Sequence, residues 1–186
     1  MSLFRKSGEP HELAIAMTGV RLGDRLLHIG CADPSLLGAV SSKVGVTGRS
    51  CALAPDDAAA ARARRGAEKA GALVGIVRST IDRCPFLDGA FNLVVVDGTD
   101  GLMASLSQAH RRECVGEGRR VLDTRGRLVV IESGRPTGLA GIFKKNPVDP
   151  AYQAAGGTPA LLEEAGFRIV RTLAERDGLV FIEGAK

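Results

Sequence analysis

The most constraining feature of this chain is the way it ends. Two apolar runs, "FRIVRTLAE" (167–175) and "GLVFIEG" (178–184), are separated by little more than "RDG". That gap cannot hold a crossover helix, so the two runs are expected to pair antiparallel, turning at Asp177 and Gly178. Five earlier runs, "RLLHIG" (25–30), "RSCALA" (49–54), "ALVGIVR" (72–78), "FNLVVVD" (91–97) and "RLVVIE" (127–132), alternate with helical stretches. The middle ones are apolar at consecutive positions, as in strands that carry helices on both faces. The expected fold is therefore α/β: a three-layer, doubly wound sheet of seven strands, mostly parallel, with an antiparallel last strand.

Helix ends are legible at several places. Pro55 at a first helical position, Asp56 and Asp57 in the first turn, an Ala-rich body and a following Gly71 predict a helix over 55–70. Asp33 as N-cap and Pro34 in the first turn predict another over 34–44. Further helices are expected over 9–18, 101–115 and 158–166. The 186 residues suit one domain, with 1–24 as N-terminal helix and lead-in. Residues 133–157 are too long for a bare connection and form a lid candidate. Within it, "GLAGIFKKN" sets apolar residues beside Lys144 and Lys145, suited to covering an apolar acceptor.

Composition excludes several classes. No apolar run approaches the ~20 residues of a membrane helix, and the N-terminus lacks the apolar core of a signal peptide, so a cytoplasmic protein is expected. Cys31, Cys51, Cys84 and Cys114 make no CxxC and have no nearby His pair, which indicates reduced thiols and no metal site. The net charge of +4 arises from 25 Lys and Arg interleaved with 21 acids, and one Tyr with no Trp offers little to stack on bases. Nucleic acid is accordingly not an expected partner. Arg62, Arg65 and Lys69 read as a solvated helix face.

Taken in order, "GVRLGDRLLHIGC", "LAPDDAAAARARRGAEKAG", "CPFLDGAFNLVVV", "VLDTRGRLVVIE" and "LLEEAGFRIV" resemble the class I S-adenosylmethionine-dependent methyltransferases. The likeness is to the branch containing ubiquinone and menaquinone biosynthesis enzymes. It runs from about residue 9 to the C-terminus and implies S-adenosylmethionine as cofactor and a small-molecule acceptor. The loop after the first strand usually reads D/E-x-G-x-G-x-G in that family; the matching positions are His28, Gly30, Ala32 and Pro34, and only Gly30 is retained. The acid that meets the ribose hydroxyls falls on Ala52. The acid that receives the adenine amino group falls on Thr80, with Asp82 two positions further on.

The resemblance thus implies degenerate cofactor motifs: the three usual acidic positions read His28, Ala52 and Thr80. A lost charge-assisted hydrogen bond forfeits ~1.5–3 kcal/mol, and two together weaken binding by ~100-fold or more. The cofactor-cleft residues expected are His28, Gly30, Ala32, Ala52, Leu53, Thr80 and Ile81. Asp97, in "VVVDGTDG" at the tip of the fourth strand, is the first choice for a catalytic base or polar anchor, and Asp100 the second. Asp97 has an alternative role in capping a helix that starts near Gly101. "DGTDGL" is not the Asn/Asp-Pro-Pro-aromatic motif of base-methylating relatives, which again argues against nucleic acid. Two functions are expected: a methyltransferase that holds its cofactor weakly, or a catalytically inactive relative that has lost it and serves as a binding or scaffold module for a protein or other ligand.

Overall fold

The computed structural model describes residues 11–81, 83–134 and 149–186. Seven strands, β1 (Arg25–Ile29), β2 (Arg49–Ala54), β3 (Val74–Arg78), β4 (Phe91–Gly98), β5 (Leu122–Ser133), β6 (Ile169–Arg176) and β7 (Leu179–Ala185), form one sheet in the order β3-β2-β1-β4-β5-β7-β6. The pairings β1 with β2, β1 with β4, β2 with β3 and β4 with β5 are parallel, and β7 runs against both its neighbours. The expected α/β sheet is therefore present, with its reversed last strand. The hairpin turns on Asp177 and Gly178, at φ 55° and 75°. The chain builds outward from β1 to β3 and then returns to β4, so the topological switch point lies between β1 and β4, where open α/β sheets hold ligands.

Among the described residues seven helices cover the sheet: α1 (Glu12–Thr18), α2 (Pro34–Ser42), α3 (Asp57–Lys69), α4 (Leu102–Ser105), α5 (Gln108–Val121), α6 (Pro150–Ala154) and α7 (Gly157–Glu164). On one face Leu27, Ile29, Leu53, Val94, Val96 and Val130 pack with Cys114 and Val115 of α5 and Leu161 and Leu162 of α7. On the other, Leu26, Leu93, Val95, Val129 and Ile131 pack with Ala14 of α1 and Leu36 and Val40 of α2. Burial on both sides is why Val94, Val95 and Val96 are apolar without alternation. Helices α2 and α3 meet through glycines: a Cβ on Gly38 would strike the Gly66 carbonyl, and one on Gly66 the Pro34 carbonyl.

Local chemistry moves several boundaries from their expected places. Asp56 is the N-cap of α3, its Oδ1 accepting the Ala59 N–H at 2.7 Å, so the helix begins at Asp57 and Pro55 stays outside it. The helix expected over 101–115 is two helices, because Leu106 is extended and Ser107 caps a new one by accepting the His110 N–H. That second helix runs to Val121 and passes directly into β5, whose buried Leu122 already pairs with Phe91. Asp33 does cap α2, accepting the N–H groups of Ser35 and Leu36, with Pro34 in its first turn.

Of the lid candidate at 133–157, residues 135–148, with Lys144 and Lys145, lie outside those described. Its remaining part contains α6, capped by Asp149. Residues 1–10 and Asp82 also lie outside. No helix among the described residues is long and apolar enough to cross a membrane.

Candidate functional site

The C-terminal ends of β1, β2 and β4 border a cavity of about 90 Å³, walled by the backbone and side chains of Gly30, Cys31 and Ala32, by Leu53, Ile81 and Leu102, and by three charged residues, Arg62, Asp97 and Asp100. Gly30 has φ +83°, and a Cβ there would lie 2.7 Å from the Asp97 carbonyl oxygen. Both the left-handed backbone and the contact with the tip of β4 require glycine at this position. The following residues are held from β4 as well: Asp97 Oδ2 accepts the Asp33 N–H at 3.0 Å. Asp97 Oδ1 accepts from the N–H and hydroxyl of Thr99, at 3.1 and 2.6 Å.

Asp97 is therefore a wholly buried carboxylate saturated by donors, and it does not cap α4. That part is played by Asp100, whose Oδ1 accepts the Leu102 N–H at 3.0 Å. Arg62, read from sequence as part of a solvated face, instead reaches back from α3, its Nε 3.3 Å from the Cys31 carbonyl that accepts it. Its half-buried side chain distinguishes it from the exposed Arg65 and Lys69. The Cys31 thiol is pushed up to about 11, by burial first and by the Asp97 charge second, so it is not a nucleophile near neutral pH.

Of the residues expected in the cleft, Gly30, Ala32, Leu53 and Ile81 line the cavity, together with Asp97. His28, Ala52 and Thr80 are not among its walls. Thr80 is exposed. Ala52 turns to the other face of β2, among Leu37, Ala54 and Ala59 under α2 and α3. Its successor Leu53 faces the cavity, a one-residue difference that the side-chain alternation of a strand makes decisive.

His28 is fully buried, with Nδ1 2.9 Å from the Gly30 carbonyl. Nδ1 carries the proton in the tautomer this contact selects, which leaves Nε2 buried with no hydrogen-bond partner among the described residues. Burial lowers the imidazole pKa, against the opposing pull of Asp97, the Gly30 carbonyl and Asp33.

A second polar cluster was not signalled by the sequence. Glu132 ends the apolar run "RLVVIE", and its Oε1 accepts the Thr158 hydroxyl at 2.8 Å. The Tyr152 hydroxyl lies 2.6 Å from Thr158 Oγ1. The Arg111 guanidinium stacks over the Tyr152 ring at 4.1 Å, donates to the Met103 and Ala104 carbonyls, and bonds Asp149 at 2.6 Å. Burial raises the Glu132 carboxyl pKa, with Thr158 and Arg111 opposing. The signal that would have found it is a carboxylate at the C-terminal end of a parallel strand next to the switch point.

No family model matches the chain, and no curated protein matches it in sequence. Solved structures do match it in shape. An S-adenosylmethionine-dependent methyltransferase from Aquifex aeolicus superposes with a TM-score of 0.73 at 20% identity, covering 94% of this chain and 88% of that one. A TehB-like S-adenosylmethionine-dependent methyltransferase from Corynebacterium glutamicum gives a TM-score of 0.64 at 14% identity, over 96% and 89%. The fold is that of the class I methyltransferases.

Proposed function

We propose that the chain is an S-adenosylmethionine-dependent methyltransferase acting on a small-molecule acceptor, with a weakened hold on its cofactor. The observation that carries this reading is the cavity at the β1/β4 switch point, where Asp97 and Asp100 face the bent backbone of Gly30 to Ala32. Two carboxylates suit the cationic sulfonium and ammonium of the cofactor, and Leu53, Ile81 and Leu102 suit its apolar parts. When bound, the cofactor supplies an electrophilic methyl group. The chain's own residues then bind and orient: the Gly30 to Ala32 backbone admits the amino-acid end, Asp97 fixes that loop through Asp33 and offers negative charge, and Arg62 braces the loop through the Cys31 carbonyl. Asp97, with both oxygens accepting donors, serves here as an anchor rather than as the base. The apolar walls favour an apolar acceptor.

The fit is incomplete at the ribose. Leu53 occupies the cavity wall at the end of β2, Ala52 is turned away, and neither offers the carboxylate that the sequence resemblance calls for. The cavity is also smaller than the ~300–1,000 Å³ of a typical ligand site. These two observations favour the second reading, a catalytically inactive scaffold that binds another ligand or a protein partner. Calorimetry with S-adenosylmethionine and S-adenosylhomocysteine separates them. Micromolar to submillimolar binding, tighter for the sulfonium, is expected; no heat and no thermal shift at millimolar ligand overturns the enzyme reading.

A further inference from the structure

The large apolar side chains that the fold leaves in water are not scattered. Among the described residues they are Leu22, Val46, Leu73, Leu87 and Ile169. Leu22, Val46, Leu73 and Leu87 lie on the connections that enter β1, β2, β3 and β4, and each is between 73% and 85% exposed. These four strands are parallel neighbours, so their leading ends share one edge of the sheet, opposite the end that carries the cavity. At the strand spacing of a sheet the row is about 15 Å long. Ile169 opens β6, which runs antiparallel to β7 and hence parallel to β5, and it falls at that same end. The tips are also fixed to one another. The Gly23 N–H donates to the Val44 carbonyl at 2.9 Å, and a Cβ on Gly45 would strike the Leu22 side chain. Arg25 Nη1 donates to the Gly89 carbonyl at 3.2 Å, holding the Leu87 turn beside β1. Single exposed leucines are ordinary. Five such residues at one end of a sheet mark an interaction surface.

Cations stand between the tips. Arg21 precedes Leu22, Arg168 precedes Ile169, and Arg49, paired with Arg25 and one step before the Ser50–Val74 pair, is level with Leu73. Arg21, Arg49 and Arg168 are exposed and have no carboxylate partner among the described residues. The nearby acids are engaged: Asp123 by Arg25, Asp88 by Arg120, and Asp24 by the Asn92 amide and the Arg21 N–H. Exposed Glu68 and Glu163, near the ends of α3 and α7, are outnumbered by Lys69, Arg125 and these three arginines. We infer that this end of the sheet docks on an anionic lipid surface, the aliphatic tips entering the headgroup boundary while the arginines meet lipid phosphates. A second copy of the chain fits worse, because apposing this end with itself sets Arg21, Arg49 and Arg168 against like charges. Nucleic acid would meet the arginines but leave Leu22, Val46, Leu73 and Leu87 with nothing to stack on bases. Each tip sits on its own loop and needs a fluid apolar layer, not a matching pocket. The cavity opens at the opposite end of the strands and stays in water when the chain is docked. No step of this docking draws on the cofactor.

Flotation of the full chain with phosphatidylcholine vesicles, with or without an equal part of phosphatidylglycerol, tests this at low and high salt. Binding is expected only to the vesicles that contain phosphatidylglycerol, and is expected to fade at high salt. Leu22→Ser combined with Leu73→Ser changes no charge and is expected to weaken binding by about 10-fold or more. Arg21→Gln combined with Arg49→Gln is expected to weaken it by a similar factor. Arg176→Gln removes a charge at the far end of β6 and is expected to leave binding unchanged. All five substituted side chains are exposed, and thermal melting checks that each variant is folded. Absence of flotation by the parent at low salt, flotation that survives the paired serines, or a comparable loss in Arg176→Gln overturns the proposal. A dimer in light scattering that the paired serines dissociate, with vesicles left unbound, also overturns it and makes a second copy the occupant. Binding of single-stranded RNA in place of vesicles overturns it in favour of nucleic acid.

Discussion

The N–H of Asp33 donates to the buried carboxylate of Asp97 at 3.0 Å, tying the loop after β1 to the tip of β4 across 64 positions of sequence. The same carboxylate accepts two bonds from Thr99, so every donor facing it is charge-assisted. An Asn at this position keeps one acceptor and presents an NH₂ to a donor. Asp97→Asn is therefore expected to cost about 2–3 kcal/mol, read from denaturant midpoints, and to abolish whatever cofactor binding calorimetry detects. Thr99→Val, which removes only the hydroxyl, is expected to cost about half as much.

His28 makes stability depend on acid. Its folded pKa is depressed by burial, so the unfolded chain binds the proton more readily, and stability is present above the unfolded value of 6.5 and falls as pH drops below it. His28→Leu removes the titrating ring and the orphaned Nε2. Denaturant midpoints between about pH 5 and 7.5 are expected to rise with pH in the parent chain and to flatten in the variant; parallel slopes would remove His28 as the cause.

Glu132 runs the opposite way. Its folded pKa is raised, so the folded state holds the proton longer, and its contribution is fully present below the unfolded value of 4.5 and lost as pH rises through the folded value. Glu132→Gln keeps an acceptor for the Thr158 hydroxyl and removes the charge. The variant is expected to melt higher than the parent at neutral pH and to match it near pH 4, the pattern of a group retained for a use other than stability.

Two glycines in helices separate packing from propensity. A Cβ on Gly66 would meet the Pro34 carbonyl, whereas one on Gly116, on the exposed side of α5, would meet nothing within 4 Å. Gly116→Ala is expected to stabilise by about 0.5–1 kcal/mol, and Gly66→Ala to destabilise by about 1–3 kcal/mol as α3 is pushed off α2. Thermal melting of the two variants checks both signs.

What the sequence made legible was local or periodic. The Asp177–Gly178 turn, the Asp33–Pro34 cap and the consecutive valines of β4 each act through neighbours in the chain, and together they led to the sheet and its reversed last strand. The break at Leu106 and Ser107 was hidden because a serine inside a polar helix looks like any other polar residue until its hydroxyl meets the His110 N–H. The early start of β5 was hidden because "LDTRG" carries no apolar alternation beyond Leu122. In the site, Gly30, Ala32 and Leu53 of the expected set border the cavity, the aligned acidic position Ala52 is offset from it by one residue and faces the other way, and Glu132 looked like a strand's trailing charge. Its meaning came from Thr158 and Tyr152, 26 positions away and nearer, which no local pattern connects to it.

That offset gives the most direct test of the cleft. Leu53 lines the cavity and Ala52 is packed beneath α2 and α3, so a carboxylate introduced at the two positions meets different surroundings. Leu53→Asp presents its charge where ribose hydroxyls would lie and is expected to tighten S-adenosylmethionine binding by about 10-fold or more, the value of one charge-assisted hydrogen bond. The lost apolar contact is expected to lower stability by about 2 kcal/mol. Ala52→Asp buries an unpaired charge at a position with no exposure and is expected to abolish folding without improving binding. Calorimetry and thermal melting of both variants decide the matter: no gain in a folded Leu53→Asp would mean that the cofactor does not lie along the end of β2, and tighter binding in a folded Ala52→Asp would return the ribose contact to position 52.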